Sequence, residues 1–404
     1  MCMCSRFNNL CRHARVVMLL MAGWAAEASA VDMMDGKLQL HGFLTQGIVL
    51  TSDNNFSGKS DDGPSFDFRE VGINASWRPN PDVLVSGQLL SHRVGELDKG
   101  NVRLDYAIAD WTALSGEWGR GGIRLGRVKH PFGLHNETRD VAFTRPSILL
   151  PQSIYFEQAR NLEMSSDGAA FYLERYTGLG SFYATYGLGY GQVGDKSVEA
   201  AFIGRDFPGS FESNLLQLLN LLWEGDGGRY RLGFTSVWGS MDYDADTGSP
   251  MASGKVGFHP VILSAQYNWE QWSLTAEHFL EYIQYQDFGP LKPDGSVVAK
   301  SFYVQGTYRP VPRWETFLRY DVFYGNEDDK SGKAFHAATG LPGFMSYSKD
   351  WTFGVRYDVT PRFMLRAELH RIEGTGWLSS LENPDPFRLD KRWDMLMLLG
   401  SFRF

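Results

Sequence analysis

The stretch Trp393-Asp-Met-Leu-Met-Leu-Leu-Gly-Ser-Phe-Arg-Phe404 decides the fold of this chain. Successive side chains of a strand point to opposite faces, so Phe402 and Phe404 place two rings on one face, at the height where aromatic groups ring a bilayer. A strand of this kind predicts a transmembrane β-barrel if the rest of the chain repeats its alternation.

The other end points the same way. Arg6, Arg12, His13 and Arg15 precede the apolar run Val16 to Ala26, and Ala28-Ser29-Ala30 offers a small-x-small cleavage site. Residues 1–30 therefore read as a signal peptide and residues 31–404 as a single exported domain. The apolar run is too short to span a bilayer as a helix, and no later segment reaches about 18 uncharged apolar residues. Cys2, Cys4 and Cys11 all lie in the leader. The mature chain then has no thiol, which excludes disulfides, thiolate nucleophiles and Cys-ligated metals. It keeps 36 basic and 46 acidic residues, the reverse of a nucleic-acid binder. A mean hydropathy of −0.28 suits a barrel, whose strands show only alternate residues to lipid.

Period-two alternation recurs along the chain. Leu38, Leu40, Leu44, Ile48 and Leu50 share one face, with Gln39, His41 and Thr45 on the other. Strands are predicted near 38–51, 70–77, 83–93, 102–111, 122–128, 167–175, 181–192, 215–224, 229–238, 258–269, 272–283, 301–309, 314–324, 350–358, 363–372 and 393–404. That is an all-β chain, a transmembrane antiparallel β-barrel of about sixteen strands, wide enough for a water-filled lumen. The segment 215–224 alternates poorly and has a short helix as its alternative. Tight turns such as Arg78-Pro-Asn-Pro-Asp82 and Arg309-Pro-Val-Pro-Arg313 lie on one side. Long loops, at 52–64, 94–101, 129–166, 193–214, 239–257, 284–300, 325–349 and 373–392, lie on the other. This asymmetry is that of an outer-membrane barrel.

The third long loop differs from the rest. Ile148, Leu149, Leu150, Ile154 and Tyr155 need something to pack against. Folding into the barrel would satisfy them and bring Lys129, Arg139, Arg145 and Arg160 into the lumen. The alternative is an outside loop packed on its neighbours or on a second subunit.

The run Gly126-Arg-Val-Lys-His-Pro-Phe-Gly133, followed by Arg139-Asp140 and Phe143-Thr-Arg-Pro-Ser-Ile-Leu-Leu-Pro-Gln-Ser-Ile-Tyr155, resembles the Gly-x-x-Lys-x-Pro-Phe-Gly signature of Gram-negative porins related to the phosphate-selective and dicarboxylate-selective (DcaP-like) group. That resemblance implies a sixteen-stranded, trimeric outer-membrane barrel whose third extracellular loop folds into the pore and whose basic residues attract anions. Lys129, Arg139 and Arg145 are the matching positions. The chain departs from the family in lacking a lysine-rich ladder and an N-terminal coiled coil, which leaves the substrate open.

Strand parity adds lumen candidates. Arg103, Arg124, Arg231, Arg319, Arg356 and Arg366 face inward, opposed by Glu70, Asp105, Asp321 and Glu277. Arginines facing carboxylates across a narrowing impose a transverse field that filters solutes by charge, and the guanidinium fork suits carboxylate or phosphate. Mutual pairing that only keeps the lumen hydrated and rigid is the competing role. No Gly-x-Ser-x-Gly, His-Glu-x-x-His or P-loop occurs, and the histidines lack metal-ligand spacing. The expectation is thus a passive porin for small anionic or carboxylated solutes, with outer-membrane lipid around it and no enzyme activity, cofactor, metal or nucleic acid. A structural or adhesive barrel is the rival, and a wall hydrolase using Ser264, Ser273 and His278 is a weaker one.

Overall fold

The computed structural model describes residues 31–33 and 36–404, so the expected signal peptide lies outside the described residues. Sixteen antiparallel strands form one closed sheet. They are β1 (Leu38–Thr51), β2 (Ser65–Asn80), β3 (Val83–Val94), β4 (Asp98–Gly116), β5 (Gly119–Lys129), β6 (Ser165–Thr177), β7 (Gly180–Gly191) and β8 (Leu215–Gly225). The second half comprises β9 (Tyr230–Ala245), β10 (Gly254–Trp269), β11 (Trp272–Gln286), β12 (Gly295–Val311), β13 (Trp314–Tyr324), β14 (Tyr347–Thr360), β15 (Phe363–Gly374) and β16 (Arg392–Arg403).

The decisive stretch, β16, pairs with β1 from Met395↔Thr51 to Arg403↔Phe43 and joins the last strand to the first. Every strand is therefore bonded on both sides, as hydrocarbon demands, because an unpaired N–H or C=O finds no water there. Two short pieces lie outside the sixteen. Val31–Met33 pairs with β1, and Gly209–Ser213 extends the sheet beside the end of β9. No helix among the described residues is long and apolar enough to cross a membrane.

Parity holds around the wall. Leu44, Ile73, Leu125, Leu263, Leu318, Phe353 and Leu369 are exposed on the outside, while Thr45, Glu70, Arg319, Glu368 and His370 are buried on the inside. Outward rings pair across strands near the short turns: Trp272 stacks on Tyr308 at 4.1 Å, and Trp314 lies 4.6 Å from Tyr357. Toward the long loops Tyr320 meets Trp351 at 4.5 Å.

The ambiguous segment is a strand, and its poor alternation has a physical cause. Leu215 and Leu221 of β8 are exposed on the outer face, whereas Leu216 and Leu218 pack against segments folded into the barrel, so both faces are apolar. Several long loops are shorter than expected. β9 and β10 continue to Ala245 and from Gly254, leaving only 246–253 of the loop assigned to 239–257; the expected loop 94–101 shrinks to 95–97, and β12 begins at Gly295 rather than 301. Polar residues such as Ser240, Asp242 and Asp244 on the outer face of β9 look like loop in sequence. Their neighbours Met241 and Tyr243 are nonetheless fully buried on the inner face.

Candidate functional site

The connection 130–164 between β5 and β6 enters the barrel and is clasped by inward-facing residues from several strands. Its residues Ile148 (2% exposed), Leu149 (2%) and Ile154 (1%) are as buried as any core side chain, each gaining about 1.5–3 kcal/mol on leaving water. Phe132, Leu150, Ile154, Tyr155 and Leu162 pack with Val256, Phe258, Ile262 and Phe279 of the wall. Helix α1 (Lys196–Ile203), in the next long loop, joins that cluster through Val198, Phe202 and Ile203. On the opposite side Ala142, Phe143, Ile148 and Leu149 meet Val49, Phe68, Met364, Met395, Met397 and Leu399.

Polar anchors fix the path. Glu277 of β11 accepts from the hydroxyls of Tyr155 (2.6 Å), Tyr303 (2.9 Å) and Ser264 (2.5 Å) and from the Leu134 amide (3.0 Å). Gly133 lies against this carboxylate with φ +61°, and a Cβ there would fall 2.5 Å from the Tyr155 hydroxyl. The glycine of the Pro-Phe-Gly run thus serves both a left-handed backbone and a close approach. Across the lumen, Glu368 of β15 accepts from the Ile148 amide and, at 3.3 Å, from that of Leu149. Arg319 donates to Ser147 Oγ and the Leu149 carbonyl, both at 3.0 Å. Arg366 donates to the Arg145 carbonyl at 2.7 Å, and Arg356 to that of Phe143 at 3.2 Å.

The four basic residues expected at the narrowing come together, each against carboxylates. Arg145 grips both oxygens of Glu70 at 2.6 and 2.8 Å. Arg139 lies 3.1 Å from Glu157 and 2.9 Å from Glu163. Arg160 pairs with Asp140 and stands 3.5 Å from Glu157. Lys129 bridges Asp140 and Asp105, the latter at 3.0 Å. Burial pushes the Asp140 carboxyl up, but Lys129 and Arg160 outweigh it and hold that group well below the usual range. Glu163 is pushed up to about 7, because burial, helped by the neighbouring Glu157 charge, outweighs Arg139 and the Phe156 amide.

Of the six wall arginines, Arg103 pairs with Asp98 (2.5 Å), Arg124 with Asp110 (3.1 Å), Arg231 with Glu224 (2.7 Å) and Arg356 with Asp358 (2.7 Å). Arg319 (1% exposed) and Arg366 (5%) are different: neither has a carboxylate within 4.0 Å among the described residues, and Arg366 leaves Nε and Nη1 without a hydrogen-bond partner. Asp321 is buried with Oδ1 unpartnered. Glu70 and Asp105 belong to the loop clasp and do not form a separate opposing wall.

Sequence reasoning missed the loop's own acids, Glu157 and Glu163, whose spacing about Arg160 is the signal that could have found them. It also missed His92, which stands 3.1 Å from Asp98, 3.3 Å from Glu157 and 3.9 Å from Glu70.

No protein-family model and no curated protein matches the chain. Solved structures do. The anion-selective porin of Comamonas acidovorans superposes with a TM-score of 0.55 at 12% identity, covering 91% of this chain and 99% of its own. The chain has a porin fold. The outer-membrane channel DcaP of Acinetobacter baumannii gives 0.56 at 10% identity over 93% and 100% of the two chains. OmpT of Vibrio cholerae, in its trimer form, gives 0.54 at 11% over 91% and 99%. At such identities the likeness is one of architecture.

Proposed function

We propose that the protein is an outer-membrane porin, a passive channel for small hydrophilic solutes with a preference for anions or carboxylated solutes, assembled as a homotrimer. The observation that carries this reading is the charge left over at the clasped loop. Eight of the ten expected basic residues are neutralised by neighbouring carboxylates, while Arg319 and Arg366 keep theirs beside the loop backbone. Both are almost wholly buried against the loop, Arg319 with its donors taken by Ser147, Leu149 and Thr352, so they act on a passing anion through their field, which raises its local concentration, and not by direct contact. The paired residues hold the loop in register, so the filter is rigid. The porin fold, shared with an anion-selective porin and a trimeric outer-membrane protein, supports the reading without extending it to substrate.

A closed, structural barrel is the second reading, favoured by the two apolar clusters through which the loop packs on opposite sides of the wall. Purified protein in a planar bilayer under a salt gradient separates the two. The porin reading expects stepwise conductance and a zero-current potential of anion-preferring sign. Absence of steps from a folded, inserted barrel would leave the structural reading, and a cation-preferring sign would remove the role given to Arg319 and Arg366.

A further inference from the structure

Arg69, Arg93 and Lys99 stand side by side on β2, β3 and β4. The register places Arg69 directly opposite Arg93, and Arg93 directly opposite Lys99. Their neighbours Phe68, Val94, Glu70 and His92 are buried on the inner face, so the three cations line the outer one. Like charges directly opposite on adjacent strands destabilise a sheet. Local acids compensate only in part: Asp67 accepts from Arg93 Nε at 2.7 Å, and Glu96 approaches Lys99 at 3.3 Å with both side chains more than half exposed. Arg69 is exposed and has no ion pair among the described residues.

The row lies at the long-loop end of the wall, two residues or fewer from the ends of β3 and β4. Toward mid-barrel the same outer face turns aliphatic, with Ile73, Leu89, Val102 and Leu104 all exposed. The pattern recurs on the far side. Lys349 and Arg371 project outward beside the Tyr320–Trp351 pair, and neither has a carboxylate within 4.0 Å among the described residues. Their cross-strand acids are Glu373, already held by Lys391 at 3.0 Å and Arg392 at 3.7 Å, and Asp394. At the short-turn end the outer face carries Trp77, Trp111, Trp269, Trp272 and Trp314 instead.

We propose that the Arg69–Arg93–Lys99 row is a docking surface for the phosphorylated headgroup of an anionic lipid in the leaflet on the long-loop side. The phosphates bridge the three cations, and the acyl chains lie along Ile73, Leu89, Val102 and Leu104. A guanidinium fork matches phosphate oxygens, and bridging by an anion removes the repulsion built into the register. An acidic protein partner would account for the cations but not for the aliphatic strip directly below them. The proposal rests on the membrane placement given above and not on conduction.

Native mass spectrometry of the purified full chain, loaded in turn with bis-phosphorylated lipid A, its dephosphorylated form and phosphatidylethanolamine, tests it. The bis-phosphorylated lipid should be retained preferentially. The double variant Arg69→Gln, Lys99→Gln should retain it roughly tenfold less, in line with the attraction of membrane-proximal cations to anionic headgroups. Equal retention of the dephosphorylated lipid by the unaltered protein would overturn the proposal, and that arm needs no variant to fold. Unchanged lipid retention by the double variant would overturn it too, as would loss of oligomers with lipid retained, since a second copy would then cover the row. Conductance of the same preparation reports separately on the porin reading.

Discussion

Removing Arg145 should unfasten the loop and alter conductance and selectivity together. Its guanidinium spans both oxygens of Glu70 at 2.6 and 2.8 Å, and both side chains are almost wholly buried. Arg145→Ala leaves Glu70 with only the His92 imidazole, at 3.9 Å, as an ion-pair neighbour within 4.0 Å among the described residues. Breaking a buried pair from one side costs about 3–5 kcal/mol, because the remaining charge stays desolvated. That is roughly a thousandfold shift in the equilibrium between clasped and released loop. The remaining anchors at Ile148, Leu149 and Tyr155 then hold a segment whose nearest clasp is gone. Single-channel recordings should show larger, noisier conductance. The zero-current potential should move toward cations, more at low salt, since the Debye length falls from about 10 Å at 0.1 M to about 3 Å at 1 M. Adding Glu70→Gln removes the orphaned charge and should recover at least half of the lost stability. The reasoning fails if Arg145→Ala matches the unaltered protein in conductance, noise, selectivity and denaturant midpoint, or if the second substitution recovers nothing.

Gly133→Ala should cost about 2 kcal/mol or more, because φ is +61° and the new Cβ meets the Tyr155 hydroxyl; thermal unfolding and current noise report it, and an unchanged midpoint would contradict the Glu277 anchor. Deleting residues 134–160 should enlarge conductance while leaving a heat-modifiable barrel, since the sixteen-strand ladder is closed without them; unchanged conductance would show that the loop does not narrow the path. Glu382, which accepts from the Gly58 amide at 2.7 Å and the Glu96 amide at 3.0 Å, is pushed up to about 7, chiefly by burial. A carboxyl that holds its proton more tightly when folded gives stability that is present in acid and lost as pH rises from about 4.5 to about 7. Glu382→Gln should therefore flatten that slope, read by amide exchange at Gly58 and Glu96; an identical slope would assign it to another group. Cross-linking in detergent should trap trimers, and a monomer alone would count against the assembly proposed.

The barrel was legible because its rule is local. Leu44, Ile73 and Leu369 face out and Thr45, Glu70 and His370 face in, and period two alone assigns them correctly. Strand ends were less legible, because beyond the lipid band the outer face of β9 turns polar while its inner face turns from Arg231 and Thr235 to Met241 and Tyr243, and the alternation reverses sense. Within the loop, the apolar run Ile148 to Tyr155 announced its own burial. Which carboxylate meets which arginine was out of reach of the sequence. Arg145 and Glu70 are 75 residues apart, Tyr155 and Glu277 122 apart, and only the closed sheet brings them together.

Those separations bear on how the molecule assembles. The amides of Ile148 and Leu149 find their acceptor 220 and 219 residues later in the chain, and the Arg145 carbonyl finds its donor 221 residues later. Contacts so remote in sequence form slowly, because the chain between them must first be ordered. Until β13 to β15 are in place, the loop has no clasp on that side, and the apolar side chains of Ile148, Leu149, Leu150, Ile154 and Tyr155 are left open to other molecules. The clasp on the far wall thus waits for strands made long after the loop itself, and the apolar side chains that serve it stay uncovered until those strands arrive.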